Sequence, residues 1–183
     1  LSIAQDSTDV AISPDGRSIA YMTGNGVDVN GPKELMLRTL GDFTPVTLGS
    51  GEPLYMPFFS PDGRWIIYRT DRKKPHHLQI HAIRTDGKHD TALTDNIGVN
   101  WAPYWHPTEP YIIWCGADHS NPKARPNYDL YLMPYTIEKT ANGEKFIGGK
   151  TVRITDHPSA DVLPVFSPDG KKLMWTSNRG EAG

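Results

Sequence analysis

Apolar and polar positions along this chain come in short bursts, and the bursts return in the same order. Phe58-Phe59 and Trp65-Ile66-Ile67-Tyr68 flank Ser60-Pro61-Asp62-Gly63, and Val165-Phe166 and Leu173-Met174-Trp175 flank Ser167-Pro168-Asp169-Gly170. Runs this short and this apolar predict strands buried on both faces. A third strand is predicted at 34–38, 79–83 and 129–133, where Leu35 and Leu37, Ile80 and Ala82, and Leu130 and Leu132 alternate with period two. Val46-Thr47-Leu48, Ala92-Leu93-Thr94 and Val152-Arg153-Ile154-Thr155 predict a fourth. No stretch carries a helical period with caps. The pattern predicts an all-β chain.

The repeat is fixed by several offsets at once. Ser13-Pro14-Asp15-Gly16 matches the two turns above, and His106-Pro107-Thr108-Glu109 is a degenerate fourth copy. At one distance beyond the Ser or His stand Tyr21, Tyr68, Trp114 and Trp175, and a little further Thr23, Thr70, Gly116 and Ser177. Directly before it stand Ile12, Phe59, Trp105 and Phe166. Proline pre-sets φ at the first central position of a type I turn, Asp tolerates the next, and Gly takes the positive φ that follows. Asp86-Gly87 and Asn142-Gly143 predict turns between third and fourth strands.

Four antiparallel strands in about 46 residues is the size of a propeller blade. The expected layout is a partial β-propeller over 1–183. Blade 1 covers about 9–50, blade 2 about 54–97, blade 3 about 100–157 and half of a blade 4 about 161–183. Residues 1–5 stand where the last strand of a preceding blade would lie. The third unit is about 15 residues longer, with the excess in 117–127 and 136–150. Both stretches are rich in Pro, Gly, Asn and Lys and are expected to be surface loops. An open set of blades leaves apolar faces and strand edges uncovered, so a segment of a longer chain is expected. The alternative is two copies closing a ring head to tail.

Phe59-Ser60-Pro61-Asp62-Gly63-Arg64, Phe166-Ser167-Pro168-Asp169-Gly170-Lys171 and the following Thr176-Ser177-Asn178-Arg179 resemble the repeat of the TolB β-propeller family. Leu93-Thr94-Asp95 and Ile154-Thr155-Asp156 are similar to its fourth-strand ending. The resemblance implies six or seven blades in a closed ring. It also implies a periplasmic or secreted location and a role as a scaffold that binds a protein partner. Similar repeats occur in propeller domains of prolyl-oligopeptidase-like hydrolases and in some metal-dependent polysaccharide lyases, which supplies the alternative reading.

Composition narrows this only slightly. The 183 residues include 37% hydrophobic and 22% charged, with a formal net charge of −2. These values suit a globular chain, and no basic field points to nucleic acid. No apolar run approaches the roughly 20 residues of a membrane helix. The single Cys115 excludes an internal disulfide and is expected to be a buried thiol.

Strand order puts the Ser-Pro-Asp-Gly turns at one end of each blade. The second-to-third strand loops and the blade-to-blade loops lie at the other, and there the irregular residues gather. Blade 2 supplies Arg72, Lys73, Lys74, His76 and His77, and blade 3 supplies Asp118, His119, Lys123 and Arg125. Between blades come Asp95, Asn96, Asn100 and Trp101, then Asp156, His157 and Asp161. The candidate binding residues are His76, His77, Asp118, His119, Asn100, Trp101, His157 and Asp161. Imidazoles beside carboxylates are metal-ligand types, but the spacing matches no ligand motif, so no metal or other cofactor is expected. Asp28-Val29-Asn30-Gly31 lacks the later ligands of a calcium loop and is expected to be a turn. Trp65, Trp105, Trp114, Trp175 and Tyr68 recur at strand positions and are expected to pack between blades, while Trp101 and Tyr55 are better placed to bind. No Gly-x-Ser-x-Gly elbow or phosphate loop occurs, so no catalytic residue is assigned.

Overall fold

The computed structural model describes residues 10–23, 33–42, 44–52, 54–121, 123 and 126–180. The expected strand over 1–5, the turn at Asp28-Val29-Asn30-Gly31 and Arg125 lie outside the described residues. Every regular element among the described residues is a strand, and these fall into two compact units that divide between Leu93 and Thr94.

The first unit holds two four-stranded antiparallel sheets. One is β1 (Val10–Ile12), β2 (Ser18–Thr23), β3 (Lys33–Thr39) and β4 (Val46–Glu52), and the other is β5 (Leu54–Phe59), β6 (Trp65–Thr70), β7 (Gln79–Arg84) and β8 (Thr91–Ala92). Strands follow chain order in both. Ala20, Met22, Leu35 and Leu48 of the first sheet meet Leu54, Phe59, Ile66, Tyr68 and Ile83 of the second in one core. Leu35 and Ile66 have no accessible surface, and each such side chain contributes about 1.5–3 kcal/mol.

The Ser-Pro-Asp-Gly turn is a closed hydrogen-bonded device. Ser60 Oγ donates to Asp62 Oδ1 at 2.6 Å and accepts the Trp65 N–H at 2.9 Å, while Asp62 Oδ1 also accepts the Arg64 N–H at 3.1 Å. Gly63 has a φ of 70° and returns its N–H to the Ser60 carbonyl. Ser13 and Ser167 repeat the arrangement. The aspartate therefore does more than tolerate its backbone: it ties the serine and the exit amide.

A second repeated feature lies in the strand before each turn. Met56, Ala102 and Leu163 have φ between 50° and 56°, a region that costs non-glycine residues energy. Each precedes a proline, Pro57, Pro103 or Pro164, and each lies in a register shift of its hairpin. These are β-bulges, in which the proline lacks the N–H that a regular ladder would require.

The second unit begins with β9 (Gly98–Trp105), β10 (Tyr111–Asp118) and β11 (Tyr128–Thr140), followed by β12 (Gly143–Gly148) and β13 (Val152–Arg153). The sheet order is β12-β11-β10-β9, with β13 also paired to β11. The expected loop over 136–150 is therefore largely a β-ribbon. β11 runs on past β10, and Ile137 pairs with Phe146. Phe146 is fully buried, stacks on Tyr135 at 4.7 Å and meets Trp105 edge-on at 5.8 Å. An aromatic knot thus anchors a segment whose composition reads as loop. The hairpin of β14 (Asp161–Phe166) and β15 (Leu173–Ser177) completes the unit.

Trp65, Trp105, Trp114 and Tyr68 are buried, as expected of core aromatics. Trp175 departs from that expectation and is 41% exposed, because no third strand covers β15 among the described residues.

Candidate functional site

Two of the sequence candidates prove to be buried. Asn100 is 2% exposed and Asp161 has no exposure, so both side chains lie in the interior and not on the loop surface that the blade-to-blade placement suggested. Both stand at the start of the first strand of a hairpin, and both hold an indole. Trp114 Nε1 donates to Asn100 Oδ1 at 3.0 Å, and Trp175 Nε1 donates to Asp161 Oδ1 at 3.1 Å. Arg179 also bonds Asp161 Oδ2. Burial pushes the Asp161 carboxyl up, but hydrogen bonds from Ser177, Arg179, Thr155 and Trp175 outweigh it and hold it below its usual range. Asn100 is further tied to Asn96, with its Nδ2 donating to Asn96 Oδ1 at 2.9 Å.

The other candidates stand on loops or strand ends. Asp118 is exposed, and Ser120 hydrogen bonds lower its pKa. His119 donates its backbone N–H to the Ile97 carbonyl at 2.9 Å. Trp101 is half-buried, and its carbonyl accepts the Cys115 Sγ–H at 3.2 Å. His157 is exposed, its Nδ1 accepts the Ser159 N–H, and its carbonyl accepts Asn127 Nδ2 at 2.7 Å. These four belong to the second unit, while His76 and His77 belong to the first. Tyr55 packs beneath two cations, with Lys33 Nζ 4.7 Å and the Arg69 guanidinium 5.4 Å from its ring centre.

The β6–β7 loop, 71–77, is held by its own hydrogen bonds. His76 has a φ of 66° and donates its N–H to Asp71 Oδ2 at 2.9 Å. Lys74 N–H bonds the Asp71 carbonyl and His77 N–H bonds the Lys74 carbonyl, both at 3.0 Å. The base of the loop is pinned by Arg72, whose Nη2 reaches Asp90 Oδ2 at 2.5 Å and the Tyr68 hydroxyl at 2.9 Å. Lys73, Lys74 and His76 project exposed from this frame.

Asp90 is where sequence reasoning missed most. Burial raises its carboxyl pKa, yet hydrogen bonds from His81 and Arg72, with their charges, bring it below the usual range. Tyr68 donates to Asp90 Oδ1 at 2.9 Å, and burial, then the Asp90 charge, raises the phenol pKa strongly. The available signal was His81, a polar residue between Ile80 and Ala82 in a strand buried throughout that stretch.

Two four-stranded antiparallel sheets, a third of five strands and a two-stranded hairpin, joined by repeating turns, define a β-propeller. Solved structures give the type. The chain superposes on a putative TolB from Agrobacterium tumefaciens with a TM-score of 0.58 and 20% identity, covering 94% of this chain and 61% of that one. It superposes on the β-propeller domain of the Trilobed protease from Pyrococcus furiosus with a TM-score of 0.63 and 16% identity, covering 96% and 51%. The fold is that of a TolB-like β-propeller, with three blades and the inner hairpin of a fourth. No family profile matches the sequence. The uncharacterized protein Atu1656 of Agrobacterium fabrum is 31% identical over 168 residues, which is 89% of this chain and 52% of that protein. The uncharacterized peptidase YuxL of Bacillus subtilis is 26% identical over 200 residues, covering 95% and 30%. The chain thus spans about half the length of the first relative and under a third of the second. No helix among the described residues is long and apolar enough to cross a membrane.

Proposed function

We propose that this chain is a non-catalytic interaction scaffold that binds an acidic surface of a protein partner through the 71–77 loop. The observation that carries the reading is the pinned loop: Arg72 is held by Asp90 and Tyr68, while Lys73, Lys74 and His76 stand exposed. A loop already ordered in one shape loses little conformational entropy on binding. Exposed lysines steer an acidic partner and set its orientation. A periplasmic or extracellular location is part of the same proposal and rests on the TolB resemblance.

A photo-crosslinking residue at position 74, with position 171 on a turn as control, tests the reading. A discrete protein adduct from 74 and none from 171 supports it. Equal labelling from both positions overturns it.

The second reading is the propeller domain of a peptidase, favoured by the match to YuxL over nearly the whole of this chain. A propeller of that kind would present its loops to a hydrolase domain, so an adduct from 74 to a covalently linked domain would select it.

A further inference from the structure

We propose that Lys33 and Arg69, converging on the ring of Tyr55, form a seat for a carboxylate of the protein partner, an inference that rests on the interaction reading above and adds an anchor beside the 71–77 loop. Tyr55 and Arg69 are register partners on β5 and β6, and Lys33 reaches the same ring from β3 of the neighbouring sheet. Lys33 Nζ lies 4.7 Å from the ring centre and the Arg69 guanidinium carbon 5.4 Å from it. Arg69 and Thr70 end β6 directly before Asp71, so the seat stands at the loop end of the strand.

Both cations break the repeat. Trp101 and Val162 hold the place of Tyr55 in the later hairpins, and their register partners are Cys115 and Thr176. In blade 1, Met22 stands at the offset from the turn serine that Arg69 has in blade 2. Arg69 is thus a cation where the other three copies hold an uncharged side chain. Lys33 precedes Glu34, the register partner of Thr23. Leu78 and Tyr128 precede the matching residues Gln79 and Asp129, which pair with Thr70 and Gly116. Neither position needs a charge for the blade to form.

Convergence gives the two charges a common target. The Tyr55 ring attracts each cation through its π-face, but like charges over one ring repel each other. Lys33 is 7% exposed, so its charge acts through a medium less polar than water and its field is strong. Arg69 and Tyr55 are half-buried, within reach of an incoming group. An ammonium carries three donors and a guanidinium five, so each can keep bonds within the sheets and still meet an anion. A carboxylate offers one oxygen to the guanidinium fork and the other to the ammonium. Met56, with a φ of 52°, lies in the bulge between Tyr55 and Phe58, and bulges re-aim side chains beside functional sites.

The test is NMR titration of the chain, at constant ionic strength, with two N-acetylated probes. Acetyl-tetraglutamate amide offers side-chain carboxylates alone, and acetyl-trialanine with a free C-terminus offers a terminal one. Acetyl-trialanine amide is the uncharged control. The expected result is a saturable shift of the Tyr55 and Arg69 signals with at least one carboxylate probe and none with the control. The probe that binds identifies the source of the carboxylate. Arg69→Met and Lys33→Leu install residues that other blades hold at these places, and circular dichroism checks their fold. Each should weaken binding by about tenfold or more. A Tyr55 shift that persists in Lys73→Glu/Lys74→Glu supports the seat even where the loop reading fails. Shifts confined to 73–76, or Tyr55 shifts unchanged by Arg69→Met and Lys33→Leu, overturn the proposal and leave the loop reading standing. So does no shift at Tyr55 with either carboxylate probe. If a variant fails to fold, the shift pattern of the unsubstituted chain, with Arg69→Gln in reserve, decides.

Discussion

Trp175 Nε1 donates to Asp161 Oδ1 at 3.1 Å, across the width of a hairpin whose partner residues lie fourteen positions apart. Trp114 and Asn100 repeat the bond at 3.0 Å with the same separation. An acid and an amide thus serve one structural role at one repeat position. Asp161→Ala leaves the indole and Arg179 without their acceptor. The expected loss is about 2–3 kcal/mol in urea unfolding, the cost of unsatisfied groups. A fully buried ion pair would cost more when broken, but the Arg179 side chain is 39% exposed and recovers water. Asp161→Asn, which imitates Asn100, should cost less than the alanine variant.

Asp161 and Asp90 also predict the acid response. Both carboxyls are held below their usual range in the fold, Asp161 by its four donors and Asp90 by His81 and Arg72, in each case against burial. Unfolded aspartates titrate near about pH 3.9. A depressed folded value means that the unfolded chain takes up protons first as pH falls. The stabilisation is therefore complete above about pH 5 and is lost as pH falls through about 4 toward the folded values. Urea midpoints should be nearly level from pH 7 to about 5 and then fall. Asp161→Asn should flatten that fall, and an unchanged slope would count against the assigned role.

The turns make a local prediction. Ser60→Ala removes the bonds to Asp62 and to the Trp65 N–H, which is buried. A loss of about 1–3 kcal/mol is expected in equilibrium unfolding, since a buried amide loses its acceptor. A value within experimental error of zero would show that water replaces the hydroxyl.

His106 replaces the turn serine in blade 3, and its imidazole takes over both directions of bonding. Nδ1 accepts the Glu109 N–H at 2.9 Å and the Thr108 N–H at 3.3 Å, and Nε2–H donates to the Gly170 carbonyl at 3.1 Å. The ring also packs on Phe166 at 4.6 Å. Gly170 has a φ of 70°, and a Cβ there would run into the His106 ring. Gly170→Ala should therefore cost more than Gly16→Ala, which has the same φ and open space around it. Beyond the roughly 1 kcal/mol of backbone strain common to both, the difference reports the His106 contact. Thermal melts of the two variants give it directly, and equal shifts would deny the contact.

The blades were readable because turns and aromatic positions recur at shared offsets, and each recurrence has a mechanical cause in the Ser-Pro-Asp-Gly hydrogen bonds. The prolines at 57, 103 and 164 recur as well and mark the bulges, although a proline inside an apolar run reads first as an edge residue. The ribbon over Ile137 and Phe146 was hidden by its Gly- and Lys-rich composition, because its order comes from the tertiary contact of Phe146 with Trp105. Asn100 and Asp161 were misread as surface groups because nothing in their polarity reveals an indole donor fourteen residues away. Asp90 was hidden for a similar reason: its partners Tyr68, Arg72 and His81 come from two other strands and a loop.

Charge reversal in the pinned loop tests the interaction reading most directly. Affinity capture from a periplasmic extract should be run with the unsubstituted chain and with Lys73→Glu/Lys74→Glu, both verified as folded, and quantified by mass spectrometry. The account predicts an acidic protein retained by the unsubstituted chain and lost by the reversed one, with retention weakening as salt is raised. The same proteins recovered in equal amounts by both would contradict it.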